Sequence, residues 1–588
     1  MSTVLIERNT MVKMRDGVAL ATDIYRPSTE GTYPVLVHRI PYNKSMMHYI
    51  GSQMLNPIIA VENGYVVLIQ DCRGCFASEG IMTPYSQEGN DGYDTIEWAA
   101  DQPWSNGRVG IYGSSYMGIT CLQAALSAPP HLEAAMSYLT GSNLYDGWVY
   151  SGGALELGFN MGYTQGKAGQ AISRLNLDDE TKARLIKELK MSSNDRATLS
   201  EYLPLNEAPI LREKELLPYW HKYLEHSAYD DYWKSMDIVA RINEVKAPIM
   251  HIAAWYDQFL KGHLDLNLAL QKHPDTKIRD NHRFIIGPWD HNSYEGHRLT
   301  WAGERNFGPK ALSGVMAVSD ILIQWFDHWL KDKSNQLIES PRVRYFIMGN
   351  ENKDWINAPE WPPESEQRIF YLDSSGPANS LHGAGKLTSI LPTGESRPDH
   401  YIYDPSNPVP TVGGRTFSLA AGGSGVQNQA MVEERTDILV YTSDLLPENL
   451  SIGGNIRVKL WISSDGEDTD FTGKLVDVEP NGYCAVVADG IIRARYRNSY
   501  ERAEFLTPGK PTYLEIDLWD VAYTFKRGHS VRLEISSSNF PRFSRNANQT
   551  IQPEFAREED LRIANQTIYH DSSRPSHLVL PVVIEKDI

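Results

Sequence analysis

The sequence of 588 residues is short of positive charge and has no long apolar run. It has 56 Lys and Arg and 74 Asp and Glu, which give a formal net charge of −18. This charge argues against a nucleic-acid partner, because phosphates require a basic surface. No stretch approaches the roughly 20 apolar residues of a membrane span, and the first residues lack the pattern of a signal peptide. We therefore expect a cytoplasmic protein with no nucleic-acid and no membrane partner.

Cysteine and metal-binding patterns are also scarce. The chain has four cysteines, two of them in Cys72-x-x-Cys75, but no second pair completes a zinc site, so we expect reduced thiols. An EF-hand loop that starts at Asp465 needs Gly where this chain has Asp470 and Glu where it has Val476. We interpret this acidic run as a solvated loop, and we expect no metal ion and no cofactor.

Apolar runs that alternate with helical segments dominate the first part of the chain. Two strand-like runs on either side of Arg15-Asp16-Gly17 predict an N-terminal hairpin. Continuous apolar runs that predict buried strands cover residues 33–39, 65–70, 108–112, 248–255 and 283–286. Buried strands that alternate with helices indicate a mostly parallel sheet covered on both faces, with the hairpin adding antiparallel strands at one edge.

The pattern divides the chain into four parts. Residues 1–144 and 245–340 carry the α/β pattern, and residues 145–244 between them are helix-prone, which indicates a helical cap over the sheet. In residues 341–588 short strand-like runs lie between turn-rich stretches, which predicts an all-β sandwich or jelly roll. The expected fold class is therefore α/β with an inserted helical cap and a C-terminal all-β jelly-roll domain.

The stretch from Arg108 to Thr120 has the order strand, tight turn and helix around a central serine. Its turn, Gly113-Ser114-Ser115-Tyr116-Met117-Gly118, fits the nucleophile elbow Gly-x-Ser-x-Gly with the second glycine one place late. A serine there lies at a helix N-terminus, where N–H groups face a developing oxyanion. We favour Ser115 over Ser114 as the nucleophile because it is better centred in the turn, and an ordinary Gly/Ser turn is the alternative.

A serine nucleophile requires a general base and a residue that orients the base. Asp257 follows the predicted strand 248–255 and His291 follows the predicted strand 283–286, in the chain order Ser, Asp, His of this arrangement. Functional groups collect where parallel strands end, so we expect the three residues to lie together. A helix cap is the alternative role for Asp257, and Asp290 is a weaker candidate for the acid because neighbours in sequence seldom face each other.

The oxyanion requires two hydrogen-bond donors. The N–H of Tyr116, the residue after the nucleophile, is one candidate. The phenol of Tyr42, in the loop after the third strand, is the other, and a packed loop aromatic is its alternative role. Among the other histidines, His251 lies inside a strand, and the sequence suggests no partner for His263.

Short segments in one order along the whole chain carry a family resemblance. Among them are Arg39-Ile40-Pro41-Tyr42, Asp71-Cys72-Arg73-Gly74, Gly113-Ser114-Ser115-Tyr116-Met117-Gly118, Trp255-Tyr256-Asp257, Gly287-Pro288-Trp289-Asp290-His291, Tyr403-Asp404-Pro405 and Ser536-Ser537-Ser538-Asn539-Phe540-Pro541. The chain resembles the cocaine esterase and X-Pro dipeptidyl-peptidase family of α/β-hydrolase serine hydrolases, and its bacterial cocaine esterase branch most closely. The resemblance implies the same three-part architecture.

The resemblance also implies a role for each candidate residue. Ser115 would be the nucleophile, His291 the general base and acid, and Asp257 its orienter. Tyr42 and Tyr116 would form the oxyanion hole.

Three further residues become candidates for substrate contact through the resemblance. Trp148 and Tyr145 begin the cap where the family places acyl-pocket residues, and packing of the cap is the alternative for both. Met117 stands where amino-acid ester hydrolases of the family carry an acidic residue, which favours an uncharged acyl group.

The expected function is hydrolysis of a small-molecule carboxylic ester, or an amide, through an acyl-enzyme. The alternatives are an X-Pro dipeptidyl-peptidase, an α-amino-acid ester hydrolase or β-lactam acylase, and an acyltransferase with the same triad. A catalytically silent carbohydrate-binding protein is the alternative from another class, and the Ser, Asp and His set argues against it. A homodimer is left open by the sequence.

Overall fold

The computed structural model describes residues 4–28, 30–46, 54–292, 300–314, 318–350, 355–417 and 423–584. These residues form a mixed sheet with helices on both faces, a helical segment and an all-β part. Among the helices in these ranges, none combines the length and the apolar character needed to cross a membrane.

The first sheet is built from the apolar runs of the first part of the chain. In the described residues its ten strands have the spatial order Val4–Lys13, Ala19–Pro27, Val66–Asp71, Tyr33–Ile40, Ser105–Ser114, Leu132–Tyr138, Ile249–Tyr256, Arg283–Asp290, Val343–Phe346 and Trp355–Ala358. The seven strands from Val66–Asp71 to Val343–Phe346 are parallel. The N-terminal hairpin adds two antiparallel strands at one edge, which confirms the prediction.

Helices cover both faces of this sheet. They are Pro57–Glu62, Glu88–Ala100, Tyr116–Leu126, Leu260–Gln271, Thr276–Arg279, Val318–Lys331 and Gln336–Glu339. Strands such as Ile249–Tyr256 are buried along their whole length, because a continuous apolar run leaves no polar side for water. The packing is close: a Cβ on Gly110 would lie 2.5 Å from the ring of Phe326 in the helix Val318–Lys331.

The segment 145–244 is helical, where the sequence predicts the cap. Its helices are Leu157–Arg174, Asp179–Asn194, Arg196–Glu201, Pro218–Glu225 and Asp231–Lys234, with 3-10 turns at Leu205–Glu207 and Ile242–Glu244 and a short hairpin of Tyr150–Ser151 and Ala154–Leu155. Trp220 and Trp233 are fully buried in it. Both belong to an apolar core that the segment shares with the α/β part, including Met136, Ile252 and Trp325.

The C-terminal part is all-β, which confirms the predicted fold class; its jelly-roll connectivity stays a prediction. In the described residues the strands of its sheet run in the order Asp399–Tyr403, Ala564–Tyr569, Leu450–Ser464, His577–Val583, Ser365–Ser374, Gly385–Thr388, Leu439–Ser443, Ser530–Ser536, Asp470–Val478 and Cys484–Arg493, and Thr512–Phe525 pairs with Leu450–Ser464. Short elements complete it: the helix Ala430–Glu433 and 3-10 turns at Ala494–Tyr496, Pro553–Phe555 and Glu558–Asp560. The pair of short strands Trp301–Ala302 and Arg305–Asn306 and the 3-10 turn Pro309–Gly314 lie earlier in the chain, within residues 245–340.

The first sheet extends past residue 340, where the sequence suggested that the last domain begins. Val343–Phe346 pairs in parallel with Arg283–Asp290, and Trp355–Ala358 pairs antiparallel to it. The sequence did not predict this placement, because a short apolar run carries no information on which sheet it joins.

The acidic run from Asp465 to Asp470 is not a fully solvated loop. Asp468 and Asp470 are buried. Arg495 Nε donates to Asp468 at 2.7 Å, and Arg493 donates to both carboxylate oxygens of Asp470 at 3.0 and 3.1 Å. The interpretation as a solvated loop is therefore wrong for these two residues, because Arg493 at the end of the strand Cys484–Arg493 and Arg495 in the 3-10 turn after it pair with them.

Candidate active site

Ser115 lies in the tight turn between the strand Ser105–Ser114 and the helix Tyr116–Leu126. Its backbone has φ 53° and ψ −125°, a strained conformation that costs a non-glycine residue about 1–3 kcal/mol. The Ser115 N–H donates to the Tyr138 carbonyl at 2.9 Å, and the Thr140 hydroxyl donates to the Ser115 carbonyl at 2.7 Å. Ser115 is half-buried whereas Ser114 is buried in the strand, so the turn presents Ser115.

Two glycines allow the chain to pack around this serine. A Cβ on Gly113 would lie 2.0 Å from the carbonyl oxygen of Met117. A Cβ on Gly118 would lie 2.6 Å from Cβ of Thr140, the residue that holds the Ser115 carbonyl. The late position of the second glycine is therefore a packing requirement of this turn.

The structure brings Ser115, His291 and Asp257 together from three strand ends. His291 Nε2 lies 3.1 Å from Ser115 Oγ, and His291 Nδ1 lies 3.1 Å from each carboxylate oxygen of Asp257. A carboxylate only accepts hydrogen bonds, so it places the proton of neutral His291 on Nδ1 and leaves Nε2 without a proton, as an acceptor for the Ser115 hydroxyl. Asp257 and His291 are both buried, which keeps this interaction away from bulk water.

The hydrogen bonds of Asp257 and Asp290, the two candidates for the carboxylate beside His291, distinguish their roles. The helix Leu260–Gln271 has no side-chain cap, and Asp257 accepts the N–H of Phe259 at 2.9 Å in addition to its contact with His291. Asp290 accepts the Ser424 hydroxyl at 2.5 Å and the Asn292 N–H at 2.9 Å. Asp257 is thus the carboxylate that faces the imidazole.

The two residues expected to supply the oxyanion donors have side chains that are neighbours in space. Tyr116 is the first residue of its helix, so its N–H has no acceptor within the helix. The rings of Tyr42 and Tyr116 are edge-to-face, with centroids 6.5 Å apart. The Tyr116 phenol donates to Glu88 at 2.8 Å, and Arg39 donates to the other oxygen of Glu88 at 2.8 Å. This buried chain fixes Tyr116, and with it the helix N-terminus beside Ser115.

Aromatic side chains from the cap, the α/β part and the all-β part surround the imidazole. Phe259 and Phe417 each approach the His291 ring edge-to-face at 5.0 Å. Phe159 packs against both, at 5.0 and 5.9 Å. Trp148, one of the predicted substrate contacts, stacks on Phe259 at 3.7 Å. These rings form an apolar wall beside His291.

The other two predicted substrate contacts are placed differently. Tyr145 is fully buried, stacks on Tyr150 at 5.1 Å and donates to the Ser227 carbonyl at 2.8 Å. These contacts belong to the packing of the cap, the alternative role for this residue. Met117 is buried in the first turn of the elbow helix, where its carbonyl accepts the Thr120 hydroxyl at 2.8 Å.

Thr140 and His263 support the elbow, and the sequence did not single them out. His263 Nε2 accepts the Thr140 N–H at 2.8 Å, and its Nδ1 lies 3.3 Å from Nδ1 of His251. Burial lowers the pKa of His263 to about 4, so this imidazole stays neutral and keeps its acceptor nitrogen at neutral pH. The only signal in the sequence was a histidine in a helix with no evident partner.

Residues of the all-β part also contact the site. Arg415 is fully buried and donates from Nε to the carbonyl of Trp255 at 3.0 Å, two residues before Asp257. Phe417 and Ser424 come from the same stretch and reach His291 and Asp290. In the described residues no group of three His, Cys, Asp or Glu side chains is arranged to hold a metal ion.

Comparisons with known proteins give consistent relatives for both halves of the chain. Residues 16–293 match the sequence profile of the X-Pro dipeptidyl-peptidase (S15) family, and residues 335–579 match that of the X-Pro dipeptidyl-peptidase C-terminal non-catalytic domain. Cocaine esterase of Rhodococcus sp. (strain MB1 Bresler) is 34% identical over 584 residues, which are 98% of each chain.

Two solved structures are similar over nearly the whole length. An aminopeptidase from a marine sediment Thaumarchaeota archaeon has a TM-score of 0.80 at 25% identity, and it covers 99% of this chain and 97% of its own. An α-amino acid ester hydrolase has a TM-score of 0.79 at 26% identity with the same coverage of both chains.

Proposed function

This chain belongs to the family of serine hydrolases that contains cocaine esterase and the S15 X-Pro dipeptidyl-peptidases, and we propose that it hydrolyses carboxylic esters of small molecules through an acyl-enzyme. The observation that carries the proposal is the hydrogen-bonded chain from Ser115 through His291 to Asp257. The 34% identity to an esterase over 98% of the chain supports an ester rather than another acyl compound as the substrate.

In the first half of the reaction Ser115 Oγ attacks the ester carbonyl. His291 Nε2 takes the hydroxyl proton, and the buried carboxylate of Asp257 stabilises the imidazolium that forms. The negative charge moves to the carbonyl oxygen, where the Tyr116 N–H and the Tyr42 phenol stabilise it. His291 then gives its proton to the leaving alcohol, and the C–O bond of the ester breaks.

In the second half water takes the place of the alcohol. His291 removes a proton from the water, which attacks the acyl-enzyme, and the same two donors stabilise the second oxyanion. The imidazolium returns the proton to Ser115 Oγ as the acid leaves. Each proton that His291 accepts is thus given back within the same half of the reaction.

We propose an apolar, aromatic acyl group because of the rings that border His291. Phe159, Phe259, Phe417 and Trp148 can pack against an aromatic acyl group, and such edge-to-face contacts contribute about 0.5–1.5 kcal/mol each. A dipeptidyl-peptidase would need a carboxylate to bind the free N-terminus of a peptide. We favour the ester over the peptide because of the 34% identity to an esterase over 98% of the chain.

A substrate panel tests this proposal. One preparation is assayed with benzoate and acetate esters, the matching amides, amino-acid esters and Ala-Pro anilides, with and without an alcohol acceptor. We expect the benzoate esters to have the highest kcat/KM and the leaving alcohol to be released in an initial burst. Faster turnover of the anilides would identify a peptidase, and transfer to the acceptor in preference to water would identify an acyltransferase.

A further inference from the structure

Lys167 is a buried cation directly beside Tyr42. It belongs to the cap helix Leu157–Arg174 and is only 8% exposed. Its Nζ lies 4.0 Å from the centroid of the Tyr42 ring and 5.6 Å from that of Tyr163. The same Nζ donates to the Pro41 carbonyl at 2.7 Å. That carbonyl is part of the peptide bond to Tyr42, so the ammonium group contacts both the backbone and the ring of this tyrosine.

The charge of Lys167 is costly at this position. Burial lowers its pKa to about 8, and the acidic groups that act on it are the thiols of Cys75 and Cys72. Burial raises the pKa of both thiols, so they are neutral and do not offset the charge. A buried cation is usually paired with a carboxylate, and in the described residues this one contacts a carbonyl and two aromatic rings instead. A cation held at such a cost is a candidate for a role in function.

The cation lies where it can act on the chemistry of Tyr42. Tyr42 and Lys167 both border an open cleft of about 710 Å³. A positive charge over the face of a phenol draws electron density from the ring, which makes the O–H a stronger donor. The same charge attracts an oxyanion bound to that O–H.

We propose that Lys167 is a positioning residue of the oxyanion hole that acts through Tyr42. Its hydrogen bond to Pro41 holds the turn, its ammonium group holds the ring, and its charge strengthens the phenol as a donor when the oxyanion forms. This inference depends on the proposed function, because an oxyanion arises only in acyl transfer.

Substitution of Lys167 tests the proposal on the kinetic constants. We expect Lys167→Met to lower kcat for an aryl ester about 3- to 10-fold, the range that a cation–π contact implies, and to change KM little. The oxyanion is absent from the bound substrate and develops on the way to the transition state, so an interaction with it contributes to kcat. Lys167→Arg keeps the charge and should recover most of the loss.

The matched control is Arg174→Met. Arg174 lies two turns further along the same helix and donates to the carbonyls of Phe76 and Ser78. Its loss removes a cation from the same helix without touching Tyr42. We expect its kcat to stay within about 2-fold of the wild type, as for a surface substitution.

The pH profile of the wild type gives a readout that needs no variant. Lys167 acts only when protonated, so its contribution to kcat should be lost, and kcat should fall, as the pH rises through about 8. The titratable groups that face it are Tyr42, Tyr163 and the two neutral thiols. We expect this alkaline decrease to be absent in Lys167→Met and to move to higher pH in Lys167→Arg. A residue with a purely structural role would leave it unchanged in both variants.

A double-mutant cycle shows whether the effect passes through Tyr42. We expect Lys167→Met to lower kcat no further in a Tyr42→Phe background. An equal loss in both backgrounds, or a wild-type kcat and alkaline decrease in Lys167→Met, would overturn the inference. Hydrolysis that survives in Ser115→Ala would instead overturn the proposed function, so the two failures are distinguishable.

Discussion

At the scale of single residues, the elbow depends on positions where a side chain has no room. Gly118→Ala would bring a Cβ within 2.8 Å of three side-chain atoms of Thr140, which holds the Ser115 carbonyl. We expect a loss of about 1–3 kcal/mol in the free energy of unfolding, as for other overpacked sites, together with a lower kcat. Urea denaturation and ester hydrolysis measure the two effects.

Gly162→Ala is the matched control for that substitution. Gly162 lies within the helix Leu157–Arg174, and a Cβ there would meet nothing within 4 Å. We expect it to stabilise the protein by about 0.5–1 kcal/mol, because alanine loses less entropy than glycine on forming a helix. If Gly118→Ala were as harmless as this control, the packing argument for the late glycine would be wrong.

The buried histidine under the elbow makes stability depend on pH. The pKa of His263 is about 4 in the folded protein and about 6.5 in an unfolded chain, so the unfolded state binds more protons between these values. The free energy of unfolding should therefore be highest above pH 6.5 and fall as the pH decreases towards 4.

His263→Gln removes this titration while keeping a hydrogen-bond acceptor for Thr140. Burial lowers the pKa of His38 and His282 to about 4 as well, so we expect a smaller pH dependence in the variant rather than none. Denaturant titrations between pH 4 and 7 measure it. An unchanged slope would mean that His263 does not titrate on unfolding.

Residues at strand ends could be predicted from the sequence, and residues that support them could not. Ser115, Asp257 and His291 each follow an apolar run, and parallel strands bring their ends to one edge. Thr140 and His263 meet through a contact between a loop and a helix that are distant in the chain. A local pattern carries no information on such a contact.

At the scale of elements, buried ionic contacts join the cap to the all-β part. Arg542 is fully buried and pairs with Glu156, which precedes the cap helix Leu157–Arg174, and with Asp489 of the strand Cys484–Arg493. Arg542→Met leaves both carboxylates buried without their partner. We expect a loss of about 3–5 kcal/mol in the free energy of unfolding, measured by urea denaturation.

An exposed ion pair of the same type provides the control. Arg502 is 80% exposed and pairs with Glu504. We expect Arg502→Met to cost at most about 1 kcal/mol, since water screens the pair. Equal effects of the two substitutions would contradict the structural role assigned to Arg542.

The elements themselves could be predicted where an apolar run is long. The central parallel strands were predicted from continuous apolar runs, because burial on both faces of a sheet requires apolar residues throughout the strand. The hairpin at the edge was predicted from two strand-like runs on either side of a turn. The short run Val343–Phe346 joins the first sheet rather than the second. Its partner is decided by tertiary packing, which the run itself does not encode.

At the scale of the whole molecule, the site is assembled from all three parts of the chain. Phe159 comes from the cap, Phe259 from the α/β part and Phe417 from the all-β part. Ser115, Asp257 and His291 were predicted from the sequence, but the aromatic residues around His291 were not. Phe417 contacts His291 through the packing of two distant parts of the chain, which a local pattern does not reveal. The acyl specificity is therefore the property that sequence patterns reveal least.

Phe417→Ala tests this contribution of the all-β part. We expect kcat/KM for a benzoate ester to fall about 10-fold and that for an acetate ester to change much less, because only the larger acyl group packs against the ring of Phe417. Phe505→Ala is the control, since Phe505 is exposed in the same part and packs on Arg495. A similar loss for both esters would show that Phe417 supports the fold rather than the acyl group.

The most direct test of the account is covalent labelling with a fluorophosphonate, followed by mass spectrometry of the peptide that contains the elbow. We predict one label per chain on Ser115 in the wild type and in Ser114→Ala, no label in Ser115→Ala, and slow labelling in His291→Ala. A label on Ser114, or undiminished labelling of Ser115→Ala, would contradict the triad and with it the proposed function.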